Sequence, residues 1–352
     1  MSAIAENYSA GLPVEIGKIN RELKKLWEQG GEVMTRASLI NLAVYSEDPN
    51  SLAENTRIIS EVAREHACRA IVIAADPRSN DDRADAWISA HCHISRAGGK
   101  QICSEQLSFA LSGCYVRMLP NVVFSHLDSD LPFCLWWQGD LPNSVDEQLW
   151  TWVDRLIYDS RGWRDFDAQM RLVEAAQTEA HHRVVLCDLN WTRLVQLRLA
   201  IAQFFDGAAA REKLRGIDRV EITFTPGCRS TAVLLVGWLA AQLRWESSAH
   251  FGAATLHFRD GSDNTINVSL REHDGEAISR CSIFAGSTEY RVDDPRGEDL
   301  LRVSTFVDGS ERMHQLMPAG SNDPVRLIRE ELMRGGPHRV YLRAVQAVRD
   351  LM

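Results

Sequence analysis

No C-x-x-C pair occurs among the eight cysteines, and no cysteine–histidine spacing fits a zinc site. A Walker loop, a G-x-G-x-x-G turn and a G-x-S-x-G elbow are missing as well, which removes the common nucleotide-binding and serine-hydrolase signatures. Positive charge is scarce relative to negative: 39 Lys and Arg stand against 48 Asp and Glu, for a net charge of −9. That balance argues against general nucleic-acid binding, which wants a basic face. Long apolar runs are absent too. The longest, Ala232 to Leu243, is broken by Gly237 and Gln242 and is too short to cross a bilayer. The opening MSAIAENYSAGLPVEIGK has no charged-then-apolar signal. These absences predict a cytoplasmic protein with reduced thiols and no membrane partner.

What is present centres on SDLPFCLWWQGDLPNSVDEQLWTWVDRLIYDS, from Ser129 to Ser160. Leu131 to Trp137 is a short apolar run with adjacent tryptophans, and Gly139, Asp140 and Pro142 end it as a turn. Ser144 reads as a helix N-cap with Glu147 completing a capping box. Val145, Leu149, Trp152, Val153 and Leu156 make one helical face. Leu156 to Tyr158 is a further strand, so the stretch predicts a βαβ unit with a parallel pair. Neighbours in a strand face opposite ways. Trp136 and Trp137 therefore either occupy two core layers of a covered sheet, or Trp137 joins Gln138, Gly139 and Asp140 in a site at the strand's carboxyl end, where open α/β sheets place their sites.

The 352 residues suggest two domains or one large one. Pro13 to Gln29 predicts an amphipathic helix stopped by Gly30 and Gly31. Ser38 to Tyr45, Leu52 to His66 and Cys68 to Ala74 predict a second βαβ unit. Asp85 to Ser95 and Gln101 to Ala110 predict a hairpin across Gly98 and Gly99. His91 and His93 share a strand face there, as a solvated polar pair rather than metal ligands, and Cys103 reads as a buried strand residue. Val116 to His126 predicts a helix near Pro120. Asn190 predicts the N-cap of a long helix whose first turn carries Trp191 and Arg193. Thr225 to Thr231 joins a strand to the next helix. Gly227, Arg229, Ser230 and Thr231 are candidates for anion binding at that helix N-terminus, or simple caps. From Ala253 onward, apolar and polar residues alternate between Asp-Gly and Gly-Ser turns, which predicts an antiparallel meander with one wet face, followed by terminal helices. The predicted organisation is α/β: a segment 1–37 with the amphipathic helix, an α/β domain 38–165 with a largely parallel sheet, and an α+β domain 166–352.

Four runs are distinctive in this order and spacing: ICSEQL from Ile102, DLPFCLWWQGDLP from Asp130, DRLIYDS from Asp154 and DLNWTRL from Asp188. Together they make the chain resemble the glucose-6-phosphate dehydrogenase assembly protein family, OpcA. The resemblance implies a non-enzymatic helper in the oxidative pentose phosphate pathway, binding that dehydrogenase and promoting its active oligomer. It brings no catalytic residue, metal or cofactor. Some members are described as redox-responsive through C-terminal cysteines; here that part offers Cys228 and Cys281, without a close pair. Tryptophan and arginine are enriched at interface hot spots. Trp136, Trp137, Gly139, Asp140, Trp191 and Arg193 are therefore the candidate partner-binding residues. The alternative is a protein that binds or acts on a phosphosugar through the Gly227 to Thr231 loop.

Overall fold

The computed structural model describes residues 11–30, 34–94, 101–141, 147–179, 183–247 and 255–349. The predicted turn glycines Gly98 and Gly99 and the predicted N-cap Ser144 lie outside them. The described chain forms two compact units, each discontinuous in sequence. The first holds the described residues of Met1–Asp159, Arg171–Cys187 and Asp323–Gly336; the second holds those of Ser160–Met170, Asp188–Asn322 and Pro337–Met352. Among the described residues no helix is long and apolar enough to cross a membrane.

The first unit opens with β1 (Leu12–Val14), α1 (Ile19–Gly30), β2 (Met34–Arg36) and β3 (Ile40–Ser46). The predicted helix from Pro13 begins only at Ile19, because Leu12–Val14 pairs antiparallel with a later strand. Proline is tolerated on such an edge. There follow α2 (Leu52–Ala63), β4 (Cys68–Asp76), β5 (Arg83–Ile94) and β6 (Gln101–Ser112). The predicted helix from Val116 to His126 is broken into short turns around α3 (Leu119–Val122). Pro120 has no N–H to continue a regular ladder. Then come β7 (Phe133–Trp137), α4 (Glu147–Trp152), β8 (Arg155–Tyr158), α5 (Phe166–Glu179) from Arg171 onward, and β9 (Val185–Asp188) as far as Cys187.

The sheet order is β1-β5-β6-β4-β3-β7-β8-β9, with β2 beside β6. From β6 through β4, β3 and β7 to β8 the pairs are parallel, as the two βαβ readings predict. Near-continuous apolar strands are the mark of a sheet covered on both faces. In β3 and β4 almost every residue is buried, and in β7 all five are. Trp136 and Trp137 are 5% and 4% exposed. The Trp137 ring packs on Tyr45, its neighbour on β3, at 4.1 Å between centroids.

The β5–β6 hairpin forms with Cys92 directly opposite Cys103, and the two are joined as a disulfide. Reduced thiols throughout, expected from the missing C-x-x-C, is therefore corrected: antiparallel register brings together cysteines 11 residues apart. Cys103 is fully buried, as expected, while Cys92 is exposed. Of the six remaining thiols, burial holds Cys68, Cys134, Cys187 and Cys281 above the usual range, Cys134 at about 11, and Cys228 is buried as well. Cys114 is an exposed free thiol, raised first by its hydrogen bond to Asp82. Iodoacetamide treatment of the folded, unreduced protein, read by peptide mass, should therefore label Cys114 first and leave Cys92 and Cys103 as a linked pair. Labelling of Cys92 without reductant would contradict the bridge.

The second unit begins with α6 (Leu189–Arg193), α7 (Val195–Gln203) and α8 (Ala208–Lys213). It continues through β10 (Ile217–Phe224), α9 (Arg229–Leu243), β11 (Glu246–Ser247) and β12 (Thr255–Arg259). The predicted meander follows as β13 (Thr265–Glu272), β14 (Ile278–Ala285), β15 (Thr288–Asp293), β16 (Leu300–Val307) and β17 (Ser310–Pro318). The sheet order is β11-β12-β13-β10-β14-β15-β16-β17. All its pairs are antiparallel except β10 with β13. Burial alternates along β13 and β15, so one face carries the core. Phe204 and Phe205, just past α7, pack on Tyr290 of β15 at 5.2 and 4.8 Å. Of the terminal helices, α10 (Pro324–Met333) belongs to the first unit and α11 (Arg339–Arg349) to the second.

α9 crosses α11 at Gly237, where an added Cβ would collide with the Ala344 carbonyl oxygen and crowd the Val348 side chain. Backbone cannot yield as a side-chain tip can. Gly237→Ala should therefore lower the unfolding free energy by about 1–3 kcal/mol despite alanine's better helix propensity. A urea titration checks this, and an unchanged or raised midpoint would contradict the close crossing.

Candidate functional site

The most developed polar cluster lies in the second unit. Asp188 is 1% exposed and precedes α6 in extended conformation. Its carboxylate accepts from the Asn190 N–H at 2.9 Å, so Asp188 and not Asn190 is the N-cap. The expected long helix also breaks at Leu194, between α6 and α7. The same carboxylate accepts from the Ser160 N–H at 3.1 Å, the Ser160 hydroxyl at 2.6 Å and the Tyr341 hydroxyl at 3.2 Å. With its cap freed, the Asn190 side chain does something else. Its Nδ2 donates to Ser160 Oγ at 3.0 Å and Ser230 Oγ at 3.4 Å, and its Oδ1 accepts from Thr231 Oγ1 at 2.7 Å. Two groups of predicted residues, around Trp191 and around Thr231, are thus joined through Asn190.

This cluster closes on itself. Ser160, Asn190 and Thr231 are at most 1% exposed, so an incoming substrate meets none of those side chains. Thr231 has its hydroxyl committed to Asn190, which matches the capping reading better than an anion cradle. Gly227 is exposed with φ +83°, and Arg229 and Ser230 are half-buried at the mouth of the loop. Trp191 is 3% exposed, packed on Tyr341 at 5.5 Å and covered by the Arg198 guanidinium at 3.4 Å. Arg193 is half-buried in the last turn of α6.

In the first unit, Gly139 turns the chain after β7 with φ +86°, and is exposed. The Trp137 indole N–H donates to the Asp140 carbonyl at 3.2 Å, holding that turn against the sheet. Asn55 and Gln138 exchange side-chain hydrogen bonds at 3.1 and 2.8 Å beside it. Of the candidate residues here, Gly139 is exposed, Gln138 and Asp140 are half-buried, and Trp136 and Trp137 are buried.

At the other end of β7 the structure shows a feature that sequence reasoning missed. Asn41, 1% exposed, clamps the preceding loop: its Nδ2 donates to the Asp128 and Leu131 carbonyls, and its Oδ1 accepts from the Asp128 N–H. Asp154 accepts from the Phe133 N–H at 2.8 Å. Between them opens a cavity of about 500 Å³, lined by Phe124, Phe133 and Trp152 together with Asp128 and Asp154. Trp152, assigned to the apolar helix face from spacing, is 42% exposed and meets Phe124 edge-on. An exposed tryptophan beside carboxylates suits a basic or amphipathic side chain of a partner.

Comparison with known proteins follows the chain in order. The sequence model of the glucose-6-phosphate dehydrogenase subunit N-terminal domain matches residues 59–175, and that of the subunit's C-terminal domain matches residues 184–345. This chain belongs to the OpcA family of glucose-6-phosphate dehydrogenase assembly proteins. An OpcA relative in Nostoc punctiforme, named as an OxPP cycle protein, is 28% identical over 225 residues, 61% of this chain and 47% of that one. The OpcA of Synechococcus elongatus is 26% identical over 221 residues, 59% of this chain and 48% of that one. The chain thus spans about half the length of the curated OpcA relatives it matches. Solved structures with a similar course include the aldose-aldose oxidoreductase of Caulobacter crescentus and the biliverdin reductase of Synechocystis. The first covers 88% of this chain and 95% of its own at 10% identity, TM-score 0.46; the second covers 89% and 98% at 9% identity, TM-score 0.44. At those scores neither activity carries over.

The closed cluster separates the two readings of the Thr231 loop. Thr231→Val leaves the Asn190 carbonyl oxygen buried without its donor and should cost about 1–3 kcal/mol of stability. Ser230→Ala, at a half-buried hydroxyl, should stay within about 0.5 kcal/mol. Urea unfolding of both variants decides, and equal small effects would return Thr231 to the anion-binding reading.

Proposed function

We propose that this chain is a non-catalytic partner of glucose-6-phosphate dehydrogenase, which it binds directly and shifts toward a more active assembly. The observation that carries the reading is the match of both family domains, in order, along most of the chain. The side-chain chemistry supports it. Ser160 and Thr231 are buried and internally bonded, and the buried thiols are held protonated, so the best-placed nucleophiles are out of a substrate's reach. Such arrangements hold a fold rather than run a reaction.

Activation by binding requires tighter binding to the active state than to the resting one. A tenfold shift between states needs about 1.4 kcal/mol of differential binding, which a modest interface supplies. The reading places contact at the exposed Trp152 beside Asp128 and Asp154, with the Gly139–Asp140 turn as a second point. The carboxylates favour a Lys or Arg of the dehydrogenase at the first of these.

Purified partners, followed by nicotinamide reduction and by native mass, test the proposal. The dehydrogenase should run faster or saturate at lower substrate, and the effect should itself saturate with this protein. Trp152→Ala should raise the half-saturating concentration about tenfold or more without moving the melting temperature. Asp140→Ala should weaken activation less. No co-migration and no kinetic effect at micromolar concentration would overturn the proposal. Turnover of a sugar phosphate by this chain alone would move the weight to the phosphosugar reading at the Gly227–Thr231 loop.

A further inference from the structure

The first unit holds a second cavity, of about 580 Å³, beneath α1. Its floor is Glu105, 1% exposed on β6. Three donors from three other elements converge there. Arg36 Nη2 and Arg69 Nη1 both donate to Oε1, at 2.9 and 2.5 Å, and the Trp27 indole N–H donates to Oε2 at 3.2 Å. Lys24 stands on the rim, 3.9 Å from Glu28.

Among the described residues lining the cavity, three cations, Lys24, Arg36 and Arg69, stand with two carboxylates, Glu28 and Glu105, while Asp128, outside that lining, also acts on Arg69. One carboxylate oxygen serves both guanidinium groups. Arg69 is 8% exposed, and its Nε is buried without any acceptor. A buried donor left unmade is costly, and a buried cation more so. An unmet buried donor in a native fold calls for a partner, such as a water, an ion or a bound ligand. Guanidinium pairs match phosphate and carboxylate oxygens in geometry as well as charge. Opposite the cations, Trp27 and Leu23 supply an apolar wall, and the volume exceeds what a bare oxyanion fills.

We propose that this cavity is a binding site for a small phosphate monoester, its phosphate held by Arg36, Arg69 and Lys24 and its carbon skeleton laid against Trp27. The site sits beside the amino-terminal ends of β4 and β6, away from the strand ends where open α/β sheets usually bind ligands. The Trp27 bond to Glu105 ties α1 to the floor, so a ligand that competes for these groups also acts on the seating of α1.

The experiment uses the chain without any dehydrogenase, and so stands apart from the assembly reading. Glycerol 3-phosphate, inorganic phosphate and glycerol are titrated separately by calorimetry, while the Trp27 indole resonance is followed by NMR. The expected result is saturable binding of glycerol 3-phosphate with a shifted Trp27 signal, about tenfold weaker binding of inorganic phosphate, and none of glycerol. Lys24→Gln, at an exposed side chain, should weaken glycerol 3-phosphate binding several-fold while the unliganded protein melts as before, and Arg36→Gln should weaken it as much at some cost in melting temperature, since Glu105 loses one donor. Arg69 is left intact, because removing it would strand Glu105. No saturable binding at millimolar concentration overturns the proposal, as does binding that both variants retain. Equal affinity for inorganic phosphate and glycerol 3-phosphate would overturn the monoester assignment and mark a free-phosphate site.

Discussion

A carboxylate taken out of water is stable only if hydrogen-bond donors replace the solvent it loses. Asp188 meets that demand with donors from three sequence-distant places: Ser160 supplies two, the start of α6 one, and Tyr341 on α11 one. Each donor needs the carboxylate as much as the carboxylate needs it, because Ser160 and Tyr341 are themselves fully buried. Through Asn190 the same network reaches the first turn of α9. The second unit therefore has one polar centre that fixes where its helices start, and the apolar crossing of α9 and α11 at Gly237 builds on that placement. Surface pairs such as Arg57 with Glu54 and Glu61 add little by comparison, since water competes for every member.

Glu105 is governed by the same rule in the first unit, with a different outcome. It too gathers donors from separate elements, but two of them are cations and one carboxylate oxygen takes both. The Asp188 cluster is closed, with Ser160, Asn190 and Thr231 paired inward. The Glu105 cluster is open on one side and leaves Arg69 Nε without an acceptor among the described residues. That contrast, rather than burial alone, separates a structural hub from a place where a ligand has something to complete.

Periodicity made the framework legible before any coordinates. Alternation in TINVSLRE and EYRVDD read directly as half-wet strands, and the apolar runs INLAVY and CRAIVIA as the strands of a parallel core. Period says which face a residue takes, however, and not what covers that face. Trp137 sits in a covered layer for that reason, while Trp152, on the apolar stripe of α4, is left part-exposed at the rim of a cavity. Partnership across sequence was less legible still. Asp188 and Asn190 are both good caps, and only the extended backbone at Asp188 decides between them. Cys92 and Cys103 meet because hairpin register is symmetric about its turn, a signal present in the sequence once the turn is placed but hidden from a search for short cysteine spacings.

The four runs that carry the family resemblance turn out to be places where buried polar groups are matched. ICSEQL contributes the bridged Cys103, the Glu105 floor and Gln106, whose amide donates to Thr56 and Ser108. The loop entering FCLWW is clamped by Asn41. In DRLIYDS, Asp154 holds Phe133, Arg155 caps the last turn of α10 through the Glu331 and Arg334 carbonyls, and Ser160 enters the Asp188 network. DLNWTRL provides that network's centre. Such positions tolerate few substitutions, because losing one partner strands the other without solvent. They are therefore where a family's sequence signature gathers, whatever its members bind. The atoms that reach solvent are a different set, Trp152 and the Gly139 turn among them. Because exposed positions are free of the packing constraint, their chemistry is the part of the chain in which function is written separately from fold.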